Sequence, residues 1–96
     1  MNIQAMMKQA QKLQQDMMKA KEEIDNKTFF GKSSLVTVEV KGNKIISKIH
    51  IESIDSDDLE LLEDMIVVAI NDAMHQIDKE IEEKLGKYTQ GMPGIF

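Results

Sequence analysis

The chain has no cysteine, no tryptophan and no arginine, and only one proline and four aromatic residues in 96 positions. Without cysteine there is no disulfide, no thiolate metal ligand and no thiol nucleophile, which agrees with a reducing compartment. Every basic side chain other than histidine is lysine, a point charge without the planar fork that reads a base edge with two hydrogen bonds. No apolar run approaches the roughly 18 residues of a membrane span. The N-terminal residues lack a basic segment followed by an apolar signal core, so the expected location is the cytoplasm.

What remains is the material of one small domain spanning residues 1–96. Eight methionines supply adaptable apolar surface for helix packing. The formal charge of −5 hides an uneven distribution. Residues 1–54 hold nine lysines against six acidic residues, whereas residues 55–96 hold three against eleven. Such asymmetry is compatible with a polyanion-facing first half, and equally with charge that simply follows helix composition.

Ile3, Met6, Ala10, Leu13, Met17, Ala20 and Ile24 recur at alternating spacings of three and four. This is an a/d heptad over good helix formers, and it predicts a first helix over residues 2–26 whose seam faces another helix. Strands are expected over 27–31, 34–41 and 44–52, with Gly31-Lys32-Ser33-Ser34 as the first turn. Gly42-Asn43 reads as a two-residue hairpin loop, which would set Val40 against Ile45, Val38 against Ser47 and Val36 against Ile49. In that register His50 faces Leu35, and Lys41, Lys44 and Lys48 gather on the outer face of the sheet.

A second helix is expected over 57–85, with Ser56 as N-cap, carboxylates at its positive end and Gly86 as C-cap. Past Ile77 one of its two apolar stripes turns polar, so its end should leave the core as an arm. The tail, 87–96, has no periodicity and is expected to be flexible and poorly ordered. The fold class is therefore α+β, an α-β-β-β-α protomer with a three-stranded antiparallel meander between two long helices.

Two such helices, about 37 and 43 Å at roughly 1.5 Å per residue, exceed the ~30 Å diameter of a compact domain of this size. Met65, Ile66, Val67, Val68 and Ile70 belong to an unbroken apolar run that covers nearly the whole helix circumference. One copy cannot bury that run, so these residues are the candidate interface of a homodimer.

Catalysis finds little to work with, and the chain is not expected to be an enzyme. His75 sits on the outer face of helix 2 near Asp72, without a serine or cysteine nucleophile nearby in sequence. Neither His50 nor His75 has a partner at metal-ligand spacing, and no metal or cofactor is expected. Asp55-Ser56-Asp57-Asp58 opens like a calcium loop, but Glu60 and Ile66 stand where glycine and glutamate are needed. The isolated glycines make no phosphate-binding loop.

Lys8, Lys12 and Lys19 fall within about 40° of one another on helix 1, opposite the heptad seam, with Gln15 beside them. A row of ammonium and amide groups along a projecting helix can follow a phosphate backbone without reading sequence. Exposed lysines on a solvated helix face look the same in a sequence. A competing reading is a protein-interaction module, in which Met6, Met17, Met74 and Leu85 line a cleft that grips a partner helix.

Met7-Lys8-Gln9-Ala10-Gln11, Gly31 with Leu35-Val36 and Val38, and Gly42 follow one another in a distinctive order. Leu61-Leu62-Glu63-Asp64, Ala69 with Asn71-Asp72-Ala73, and Gly91-Met92-Pro93-Gly94 with Phe96 continue it. In this the chain resembles the YbaB/EbfC family of nucleoid-associated proteins along nearly its whole length. The resemblance implies an intertwined, tweezer-like homodimer whose projecting helices contact duplex DNA. It also implies a place in the nucleoid and a role in its organisation and in gene regulation, without catalysis. Of the candidate residues only Lys8 lies in a matching motif; Lys12, Lys19 and Gln15 come from the helical wheel. Met74-His75 stands where family members often carry a basic pair. With an isoelectric point near 4.9, weak and strongly salt-sensitive binding is expected.

Overall fold

The computed structural model describes residues 2–52 and 58–89, with the backbone alone at Thr89. The element order is α1 (Ile3–Asn26), β1 (Thr28–Lys32), β2 (Val36–Lys41), β3 (Ile46–Ile51) and α2 (Leu59–Thr89). The strands form an antiparallel meander in the order β1-β2-β3. This is the α-β-β-β-α fold expected from the sequence. Ser56 and the tail glycines lie outside the described residues; α2 begins where the Asp58 carbonyl accepts from the Leu62 amide.

α1 opens with Asn2, whose side chain accepts the Ala5 amide at 3.3 Å and satisfies one of the orphan donors of the first turn. It ends where Lys27 turns extended. Along the sheet, alternation places Phe29, Val36, Val38 and Val40 on one face, and α2 covers them with Met65, Ala69, Ala73 and Ile77. All eight side chains are buried.

Small residues set how closely these layers approach. A Cβ on Gly31 would lie 1.9 Å from the Ala69 carbonyl oxygen and 2.7 Å from the Ala73 nitrogen. The helix therefore rests directly on the backbone of β1, with alanine at both facing positions. Gly42 plays the same part for α1, since a Cβ there would lie 1.7 Å from the Ile24 carbonyl oxygen.

The hairpin differs from the expected register. The loop has three residues, Gly42-Asn43-Lys44, closed by the Lys44 amide on the Lys41 carbonyl at 2.7 Å and by the Lys41 amide on the Ile45 carbonyl at 2.9 Å. Lys44 takes a left-handed conformation with φ 69°, and the Asn43 carboxamide accepts the Ile45 amide at 3.1 Å. Val40 pairs with Ile46, a bulge leaves Ser47 unpaired in the ladder, and then Glu39 pairs with Lys48, Val38 with Ile49 and Val36 with Ile51. His50 accordingly faces Thr37 rather than Leu35.

α2 also runs past its expected end. It continues through Gly86 to Thr89, which places Tyr88, beyond the glycine, half-buried against the core. A glycine inside a helix costs about 1 kcal/mol relative to alanine. Covering part of the Tyr88 ring offsets that cost. The end of α2 is not a free arm; it lies against the second half of α1, whose Met17, Ala20 and Ile24 join the same core. The first half of the heptad seam meets nothing among the described residues: Ile3, Met6, Ala10 and Leu13 are exposed. The molecule accordingly measures 71 × 21 × 14 Å, with a radius of gyration of 18.9 Å. A compact domain of this length would have a radius of about 12–13 Å.

Candidate nucleic-acid interface

The exposed first half of α1 carries Lys8, Lys12 and Gln15, and Lys19 continues their face into the second half. Lys8, Lys12, Lys19 and Gln15 are all exposed, on a helix that nothing covers among the described residues before Met17. From Asn2 to Gln15 this arm has no acidic residue. The ion pairs among the described residues join Lys21 to Asp25, Lys27 to Glu80 and Lys44 to Asp78. Lys8, Lys12 and Lys19 take part in none of them. They are available as a row of unneutralised charge, held at fixed spacing by the helix.

The second lysine cluster does not form as expected. Lys44 leaves the outer sheet face and reaches Asp78 of α2 at 2.9 Å, a consequence of its left-handed backbone in the longer loop. Lys48 sits opposite Glu39. Lys27 reaches Glu80 at 2.6 Å and also lies 5.2 Å from the centre of the Phe29 ring, tying the end of α1 to α2.

The acidic second helix is partly occupied with structural work. The Asp72 carboxylate accepts the Lys32 amide at 3.0 Å, and the Gln76 amide donates to the Phe30 carbonyl at 2.8 Å. These side chains occupy outward-facing backbone groups of β1 and close that edge to further pairing. Asp72 therefore orients no imidazole, and His75 is simply exposed. Sequence reasoning missed both edge contacts; the spacing of four between Asp72 and Gln76 was the available signal.

The candidate interface residues divide. Met65 faces the protomer's own core and its carbonyl accepts the Ser33 hydroxyl at 2.8 Å, so it is not available to a second copy. Ile66 and Ile70 are half-buried, whereas Val67 and Val68 remain 56% and 55% exposed. The competing cleft also comes apart: Leu85 is buried, Met17 and Met74 pack on the core, and Met6 stands in solvent. Among the described residues no group of three or more histidine and carboxylate side chains is placed to hold a metal. No helix among them is long and apolar enough to cross a membrane.

Residues 1–92 match the model of the YbaB/EbfC DNA-binding family. The chain belongs to that family. It is 53% identical to a nucleoid-associated protein of Lactococcus lactis subsp. cremoris, covering 97% of this chain and 98% of that one. It is 43% identical to a nucleoid-associated protein of Enterococcus faecalis, over 98% and 94% of the two chains. The fold also matches the crystal structure of an uncharacterised protein from Helicobacter pylori, with a TM-score of 0.77 at 14% identity over 92% of this chain and 97% of that one. As a YbaB/EbfC chain the molecule is a DNA-binding, nucleoid-associated protein and not an enzyme.

Proposed function

We infer that the chain binds duplex DNA with little sequence preference as a homodimer, and thereby contributes to nucleoid organisation and gene regulation in the cytoplasm. The contacts are to phosphates, made by Lys8, Lys12 and Lys19 with Gln15 beside them. The observation that carries this reading is the exposed lysine row of α1, which begins on the acid-free stretch from Asn2 to Gln15 and takes part in no ion pair among the described residues. The same chain bears −5 overall, so binding must come from charge placed apart from the acidic second helix, not from net attraction.

The dimer is supported by apolar surface that one copy leaves open. Among the described residues α2 covers β1 and β2 but makes no packing contact with β3. Ile46, Ile49 and Ile51 therefore stay 40–42% exposed on the helix side of the sheet. On α2, Asp72 and Gln76 mark the side toward β1, which turns Ile66, Ile70 and Val67 toward β3. These six residues make a continuous apolar band beside the uncovered edge of β3, a surface suited to a second copy. Two copies would present two lysine rows to one duplex.

Titration of a random-sequence duplex of about 20 base pairs at several salt concentrations tests the reading. Six phosphate contacts from a dimer give a slope of log affinity against log salt near −5, at about 0.9 per contact. Retention at ~50 mM salt that fades steeply by ~200 mM is the expected result. No binding at ~50 mM, or binding indifferent to salt, contradicts it.

A further inference from the structure

The outer face of the sheet, turned away from α2, plays no part in the duplex reading, yet it carries a large exposed aromatic ring. Phe29 and Phe30 are adjacent in β1, so one points into the core and the other away from it. Phe30 is 47% exposed. The register defines what surrounds it. One row across the strands is Phe30, Glu39 and Lys48; the next is Lys32, Thr37 and His50. On the other side Thr28 pairs with Lys41. Lys32, Lys41, Lys48 and His50 are all exposed. Phe30, Thr37, Glu39, Lys48 and His50 together line a shallow hollow of about 210 Å³.

Three lysines against one carboxylate in these rows make this face positive in a chain that is negative overall. Its chemistry is a ring open for stacking, with ammonium groups on either side along the strand direction and a short, flat floor between them. That combination fits an unpaired nucleotide, whose base has a π face and whose phosphates carry the charge. A duplex cannot use it, because its bases are already stacked. We propose that the outer sheet face binds single-stranded nucleic acid, with a base stacked on Phe30 and the flanking phosphates held by Lys32, Lys41 and Lys48. Glu39, between Phe30 and Lys48, is positioned to accept a hydrogen bond from the exocyclic amine of the stacked base.

The test is fluorescence anisotropy on the full chain with a mixed-sequence 12-nucleotide single strand and, separately, a duplex of the same sequence. Phe30→Leu keeps an apolar side chain at a half-exposed position and removes the ring; circular dichroism verifies the fold. Single-strand affinity is expected to fall about tenfold, with duplex affinity unchanged within about twofold. Phe30→Trp should restore single-strand binding, and Lys48→Gln should weaken it and flatten its salt dependence. Replacing Lys8, Lys12 and Lys19 should weaken the duplex more than the single strand and leave the effect of Phe30→Leu on the single strand intact, so the two readings fail separately. Single-strand affinity that is absent, or indifferent to Phe30→Leu, overturns the proposal, as does an equal loss for both probes.

Discussion

Replacing Lys8, Lys12 and Lys19 together by glutamine is expected to lower affinity for duplex DNA on the order of 100-fold at ~50 mM salt. The reasoning is electrostatic. Each lysine that neutralises a phosphate releases close to one condensed counterion, so six lost contacts in a dimer would flatten the salt slope by about 5. Glutamine has nearly the helix propensity of lysine, so α1 should persist and the loss is not one of folding. Lys21→Gln serves as the comparison, because that ammonium is already paired with Asp25 at 3.5 Å. It should change affinity much less than the triple replacement does. Unchanged binding and slope in the triple variant, measured by gel shift across a salt series, would move the contact surface away from α1.

The second large effect is on stability. Gly31→Ala should destabilise the fold by about 3 kcal/mol or more, a large part of the 5–15 kcal/mol usual for a native protein. The added Cβ meets the Ala69 carbonyl oxygen at 1.9 Å, and backbone cannot step aside as a flexible side chain can. α2 would have to lift from the sheet and loosen Val38, Ala69 and Ala73, all 0% exposed. The same substitution at Gly86 should have the opposite sign. There a Cβ meets nothing within 4 Å, and α2 is helical throughout, so about 0.5–1 kcal/mol is gained from propensity. Urea unfolding midpoints of the two variants give both signs. A neutral Gly31→Ala would mean that helix and strand do not touch as described.

Patterns that depend on periodicity are legible in the sequence, and features decided by a few backbone groups are not. The heptad of α1 locates that helix to within a residue, because spacing of three and four has few other causes. Alternation at Val36, Val38 and Val40 correctly gives the buried face of β2. The register beyond Val40 departs from expectation because loop length depends on whether Lys44 accepts a left-handed backbone. Nothing in Gly42-Asn43-Lys44 by itself distinguishes a two-residue loop from a three-residue one. The bulge at Ser47 then adds a second displacement. Gly86 has the appearance of a C-cap, and only the packing of Tyr88 against the core shows why the helix continues. The run from Met65 to Ile70 signals burial on several sides, but the division between Met65, used within the protomer, and Val67, left outside, requires the geometry of the sheet.

The lysine row is legible in the sequence as a coincidence of angle on the helical wheel. The fold adds that Lys8 and Lys12 stand on an arm whose apolar seam, Ile3 to Leu13, is itself uncovered among the described residues. Exposed charge on one side and exposed apolar surface on the other are what a helix needs to face a polyanion and a second copy at once. The competing cleft loses its support for a comparably physical reason: Leu85, one of its four walls, is spent inside the protomer.

Both the paired arms and the open band of isoleucines stand or fall on a second copy, so the mass of the folded particle is the most direct test. Light scattering on the full chain at micromolar concentration should return close to twice the 10.9 kDa of one chain. A particle of 10.9 kDa with the far-ultraviolet signature of this α+β fold would contradict the account.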